Sequence, residues 1–282
     1  MVLELRDNLW DVGSSANAKI QKSPIRSFGK RVVDPESVLS LVPADAPKMC
    51  SPCIGSGVVE VAAASLGLMV FAADIFTPLY AFWHLLRTHN DFLVREIRTK
   101  YPLAKQEFDR LKAGIAGEES LLTKGAYFFV INRACAPGGS FAEDMMPGHP
   151  RFNPSAIEKL TKIDIRNLIV QNKSFDLFLK KNKDSFCYIN PPLLMDRERP
   201  FSVVNNIHSN FDHLALRECL KTQEYWVLIY NNTSTVRRLY SAYAMLDTRW
   251  KSGINDLSTA KDLIILSPFL RKYWGLSAPS IS

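Results

Sequence analysis

Apolar positions along the chain follow two patterns. Short continuous apolar runs stop abruptly at turn-forming or polar residues, and longer stretches place apolar residues three and four apart. The first pattern predicts buried strands near 49–53 and over 68–73, 168–170, 186–189, 225–230 and 262–266. The second predicts helices over 35–42, 58–66, 156–160, 175–179, 211–220 and 235–244. Val59, Ala62, Ala63 and Leu66 share one face of the helix at 58–66, which Gly67 ends. Asp34 before Pro35 makes a helix start, because aspartate accepts from free N–H groups and proline has none to leave unpaired. From 79 to about 122 the period is helical and the sequence heavily charged, with Leu79, Phe82, Trp83, Leu86, Phe92 and Ile97 on the apolar face. Residues 196–210 and 248–261 read as polar loops. Strands alternating with helices predict an α/β fold. The chain divides into a loose or partly docked tail over 1–22, a sheet domain over 23–80 and 165–282, and a mostly helical insertion over 81–164.

Three stretches of this pattern carry candidate chemistry. Residues 49–57, Met-Cys-Ser-Pro-Cys-Ile-Gly-Ser-Gly, pass from a strand end into a glycine turn, and the next strand closes on Asp74. Strand, Gly-x-Gly turn, helix, strand and acidic residue make a nucleotide-binding layout. The glycines let the backbone approach a ligand, and the acidic side chain is placed for ribose hydroxyls. The second stretch is Phe186-Cys187-Tyr188-Ile189-Asn190-Pro191-Pro192-Leu193. Each proline lacks an N–H and has a fixed φ, so the strand stops there and leaves Asn190 at its carboxyl end. Open α/β sheets bind ligands at that end; the structural alternative is a strand stop that happens to carry asparagine. In the third, an aromatic run with a polar end at 127–133 leads into a long loop over 134–154 that holds Gly138, Gly139, Gly148 and four prolines. Core packing accounts for Tyr127, Phe128 and Phe129, whereas Arg133 and Arg151 suit phosphates. Lys180, Lys181 and Lys183 fit an anionic partner or a solvated helix end equally well.

Composition changes this picture in three ways. The chain of 282 residues is 47% hydrophobic, enough to bury a core along most of its length, and its net charge of +7 favours a polyanionic partner. Its five cysteines are odd in number and irregular in spacing, which argues for a reducing compartment, cytoplasmic or nucleoid-associated. Cys50-Ser51-Pro52-Cys53 has CxxC spacing without a second Cys or His pair, so no metal is expected. The longest apolar run, 58–73, contains Glu60 and Gly67 and is too short to span a bilayer, and no signal peptide is visible; a soluble protein away from membranes is expected.

Taken in order, these motifs resemble those of the Dam-type adenine-N6 DNA methyltransferases. Phe28-Gly29-Lys30 matches the basic loop before the family's first strand, and Pro52-Cys53-Ile54-Gly55-Ser56-Gly57 its Pro-Phe-x-Gly-x-Gly cofactor turn. Asp74 matches the acidic end of the second strand, and 128–133 the Phe-Phe-x-x-Asn-Arg segment. Asn190-Pro191-Pro192-Leu193 falls on the catalytic Asp-Pro-Pro-Tyr, and 211–216 on a downstream Phe-x-His-x-x-Leu helix. The resemblance covers roughly residues 24–270. It implies a Rossmann-like methyltransferase sheet with a helical DNA-recognition insertion. It also implies S-adenosylmethionine as cofactor, double-stranded DNA as the partner of a monomer or weak dimer, and a restriction-modification type of chemistry. Carried over by position, the cofactor residues are Phe28, Lys30, Pro52, Ile54, Gly55, Gly57, Asp74 and Ile75, with Phe175 and either Ser174 or Asp176 near the cofactor adenine. The catalytic positions are Asn190, Pro191, Pro192 and Leu193, with Tyr188 on the same strand; Asn132, Arg133, Gly138, Gly139 and Arg151 face DNA.

The chemistry explains these residue types. A base inside a duplex is unreachable and must be flipped out, at a few kcal/mol of unstacking. The exocyclic amine is a poor nucleophile until acceptors draw it towards tetrahedral geometry, and much of the rate comes from positioning. This sequence departs from the family twice. Asn190 keeps a carbonyl acceptor but loses a charge-assisted hydrogen bond. Leu193 removes a stacking surface worth about 1–3 kcal/mol, or about 10–100-fold in rate. Tyr188, which strand alternation places with Asn190 and Pro192, compensates only if its ring faces the base. The expectation is a DNA adenine methyltransferase; the alternatives are a relic that binds DNA or cofactor without turnover, and a methyltransferase acting on another amine or on RNA.

Overall fold

The computed structural model describes residues 20–26, 33–135, 144–146, 151–194, 211–250 and 260–276. Phe28, Lys30, Gly138, Gly139 and most of the expected tail lie outside these residues. Gln21, within the stretch expected to be loose or partly docked, is held: its side chain exchanges hydrogen bonds with the backbone of Asp164 and its N–H donates to Ser65.

Among the described residues seven strands form one sheet: β1 (Met49–Ser51), β2 (Val70–Asp74), β3 (Leu168–Asn172), β4 (Phe186–Ile189), β5 (Trp226–Asn231), β6 (Ala244–Trp250) and β7 (Ala260–Leu266). Their order is β3-β2-β1-β4-β5-β7-β6. The first five are parallel, and β7 runs antiparallel to both β5 and β6. The short apolar runs of β1, β4 and β5 are buried, as strands covered by helices on both faces must be. Alternation divides their side chains between two cores. Phe186, Tyr188, Val227 and Ile229 join α1 (Pro35–Leu39), α2 (Val58–Ser65) and the helices that follow β2. Cys187, Ile189, Leu228 and Tyr230 meet α8 (Phe175–Lys181), α9 (His213–Leu220) and α10 (Ser234–Leu239). The last described helix is α11 (Pro268–Tyr273).

Among the described residues five helices lie between β2 and β3: α3 (Thr77–Thr88), α4 (Asn90–Arg98), α5 (Lys105–Gly114), α6 (Leu121–Ala134) and α7 (Pro154–Lys162). Residue 80 lies inside α3, and these helices share the sheet's own core. Phe82, Trp83, Phe108 and Phe128 belong to the same buried cluster as Val59 and Val70. The aromatic run at 127–133 lies on α6, buried on every side, and Phe129 stacks on Phe82 with centroids 5.4 Å apart. Gly125 lets α6 approach α3: a Cβ there would lie 3.0 Å from the Ala81 backbone.

The helix expected over 235–244 ends at Leu239, and the loop expected from 248 begins as strand β6. Ala-Met-Leu-Asp-Thr-Arg-Trp has no clear period of its own; its pairing with β7, residue by residue from Ala244↔Leu266 to Trp250↔Ala260, makes it a strand. Among the described residues no helix is long and apolar enough to cross a membrane.

Candidate functional site

The chain leaves β1 for β2 on one side and places β4 on the other, so the carboxyl ends of β1 and β4 bound the crevice where open α/β sheets bind ligands. Three sequence-predicted motifs come together at this end. Gly55 and Gly57 follow β1 at φ +47° and +64°, a backbone region open to glycine, and Gly57 caps α2. The two glycines differ in surroundings. A Cβ on Gly57 would lie 2.6 Å from the Trp83 ring, whereas one on Gly55 would meet no heavy atom within 4 Å. Trp83 Nε1–H donates to the Gly55 carbonyl at 3.3 Å, so the buried indole backs the turn and leaves its Gly55 side open.

Asp74 holds the same turn from β2. One carboxylate oxygen accepts from Gly55 N–H at 3.2 Å and the other from Phe76 N–H at 2.9 Å. A carboxylate has about four lone-pair sites, so acceptors remain for a ligand's hydroxyls. Burial, working against those backbone donors, pushes the Asp74 carboxyl up to about 6. Asn172, paired with Asp74 across β2 and β3, donates to the carbonyls of Asp74 and Ile75 at 2.9 and 3.2 Å. Ile75 itself is exposed, an apolar side chain beside the carboxylate. Pro52 and Ile54 are buried beneath the turn. Beyond β3, Ser174 precedes α8, and its hydroxyl holds the exposed Asp176 carboxyl below its usual range; Phe175 packs on Phe211, with centroids 4.9 Å apart.

Asn190 follows β4 and is partly buried, Pro191 is buried and Pro192 partly so. Leu193 is 45% exposed. Tyr188 is only 2% exposed, its ring committed to the core. It offers no face to an incoming base, so the condition on which it would compensate for Leu193 is not met.

Glu60 was visible in the sequence only as a break in an apolar run. It lies 2% exposed in the first turn of α2, where Ser51 Oγ–H donates to it at 2.6 Å. Burial pushes its carboxyl up to about 7, with Asp74 adding to the shift; burial, Asp74 and Glu60 together push the Cys53 thiol well up. A lone acid among small apolar residues of a helix was the available signal. Cys50 pairs in register with Cys187 of β4, all five cysteines are free, and among the described residues no group of three or more His, Cys, Asp or Glu side chains could hold a metal.

Of the residues assigned to DNA, Asn132, Arg133 and Arg151 lie among the described residues, and they gather at the carboxyl end of α6. Asn132 is 6% exposed, and its amide is paired with both backbone groups of Arg26 at 2.9 and 3.1 Å. It anchors the 20–26 segment to α6. Arg26 in turn caps α6 through the Cys135 carbonyl at 2.6 Å. Arg133 donates to the Arg151 carbonyl at 2.9 Å, and burial, with Arg26 and Arg151 nearby, lowers its guanidinium to about 10. Three like charges at one place suit an anion. Compared with family models and with curated proteins, the chain finds no match.

Proposed function

We propose that this chain binds S-adenosylmethionine at the 55–57 turn and methylates the exocyclic amine of an adenine flipped out of double-stranded DNA, as the Dam-type family it resembles does. The observation that carries this reading is the convergence of the glycine turn, Asp74 and Asn190-Pro191-Pro192 on the switch-point end of one sheet, from β1, β2 and β4. The sheet itself, parallel through β5 with a reversed β7 ahead of β6, accords with the Rossmann-like methyltransferase sheet that the resemblance implies.

The residues present fit the cofactor: Gly55 opens onto free space, and Asp74 has lone pairs left over. When bound, S-adenosylmethionine supplies an electrophilic methyl group, whose transfer leaves a neutral thioether. Gly55 and Gly57 would accommodate the methionine moiety, Asp74 would accept from the ribose hydroxyls, and the exposed Ile75 would cover an apolar face. Asn190 Oδ1 and the Pro191 carbonyl accept from the target amine and draw its nitrogen towards tetrahedral geometry. A neutral amide takes no proton, so the amine's proton leaves to water. Arg26, Arg133 and Arg151 hold backbone phosphates.

A second reading, a family member that binds DNA and cofactor without turnover, is favoured by Leu193 together with the buried Tyr188, which leave the base without an aromatic platform. Transfer of tritium from labelled S-adenosylmethionine to unmethylated DNA separates the two. Counts above background that vanish in Asn190→Ala are expected. Background counts for both proteins beside saturable DNA binding leave the second reading standing.

A further inference from the structure

Strand β5 ends in a polar triplet, Asn231-Asn232-Thr233, that takes no part in the chemistry above. Thr233 caps α10, its hydroxyl accepting from Val236 N–H at 3.2 Å, and it also donates to the Leu194 carbonyl at 3.5 Å, the long limit of a hydrogen bond. Asn232 turns towards the sheet edge, donating to Asp247 of β6 at 2.7 Å and accepting from Arg237 at 2.8 Å. Asn231 reaches the other way, to the loop after β4. Its Oδ1 accepts from Leu194 N–H at 3.1 Å, and its Nδ2 donates to the Leu194 carbonyl at 2.7 Å.

A primary amide that pairs with both backbone groups of one residue fixes that residue much as a neighbouring strand would. Leu194 lies four residues past Asn190, and between them stand Pro191 and Pro192, whose φ angles are locked. The segment is therefore short, stiff and held at both ends: by the β4 ladder before Asn190 and by Asn231 after Leu193. We propose that Asn231 is a positioning residue that sets the 190–194 loop, so that Asn190 and the Pro191 carbonyl meet the target amine. This assignment rests on the methyl-transfer reading above. Misplacement of reacting groups by about 1 Å costs about 100-fold in rate, which sets the scale of the effect.

The test uses the full chain, tritiated S-adenosylmethionine and unmethylated genomic DNA. In Asn231→Ala we expect kcat to fall about 10–100-fold, while the affinities for DNA and for cofactor change less than about twofold. Peptide-level hydrogen exchange should speed at Leu194 in the same variant. Asn231→Asp keeps the acceptor for Leu194 N–H and loses the donor, so its exchange should stay near wild type and its kcat should fall in between; it also stands in if Asn231→Ala does not fold. Asn232→Ala, whose partners lie on α10 and β6, should keep wild-type kcat. Unchanged exchange at Leu194 in Asn231→Ala, or an equal loss of kcat in Asn232→Ala, overturns the assignment. A wild type without any transfer instead sinks the methyl-transfer reading, and the exchange at Leu194 then decides by itself whether Asn231 holds the loop.

Discussion

At the carboxyl end of β4 a half-exposed leucine stands where the family whose motifs it resembles carries an aromatic ring, and Tyr188, the ring on the same strand, is sealed in the core. Leu193→Tyr is therefore expected to raise kcat/KM for DNA by about 10–100-fold, measured by initial rates of methyl transfer; a rate no better than wild type would mean that stacking is supplied elsewhere. A second residue-scale prediction concerns Glu60. Its carboxyl sits at about 7 instead of 4.5, so the folded protein keeps a proton that the unfolded chain releases. The resulting stability is complete below about pH 4.5 and is lost as the pH rises through about 7. At about 1.4 kcal/mol per pH unit, the loss is on the order of 3 kcal/mol. Glu60→Gln keeps an acceptor for Ser51 and has no proton to lose, so its Tm at pH 8 should exceed that of wild type and change less between pH 5 and pH 8. Asp74, shifted in the same direction, adds to the slope that remains below about pH 6. Thermal melts at the two pH values check this, and equal pH dependence in both proteins would contradict it.

At the scale of elements, the glycine turn joins β1, α2 and α3, and its two glycines should fail differently. Gly57→Ala combines a positive φ with a methyl pressed into Trp83 and should destabilise the fold by about 2 kcal/mol or more. Gly55→Ala meets only the backbone cost, about 1 kcal/mol, but places its methyl in the open space that the proposed function gives to the cofactor. It should lose S-adenosylmethionine affinity far more than stability. Denaturant unfolding and calorimetry of both variants distinguish the outcomes; equal stability losses would show that Trp83 yields.

For the whole molecule, the proposed function with a net charge of +7 and the arginines at the end of α6 predicts DNA binding driven by electrostatics. Arg151→Ala should weaken binding on any sequence and reduce the slope of log K against log salt by about one. Arg133→Ala should do the same and also loosen the 151 segment, since it donates to the Arg151 carbonyl. Titrations at several salt concentrations give the slope, and an unchanged slope in both would remove these residues from the DNA surface.

What the sequence determined by itself was local. Apolar runs and their stops marked six of the seven strands, two prolines set Asn190 at the end of β4, and the spacing from glycine turn to strand end placed Asp74, because periodicity and backbone restriction act over a few residues. Contacts between distant residues decided the rest. Strand β6 exists because β7 pairs with it. Asn132 anchors a backbone segment more than a hundred residues away, and Asn231 holds a loop 37 residues before it. The burial of Tyr188, the raised carboxyl of Glu60 and the indole of Trp83 behind the glycine turn likewise depend on which elements pack together. No residue type announces whether its partner is the core, a backbone carbonyl or a ligand, since that follows from what the fold brings against it.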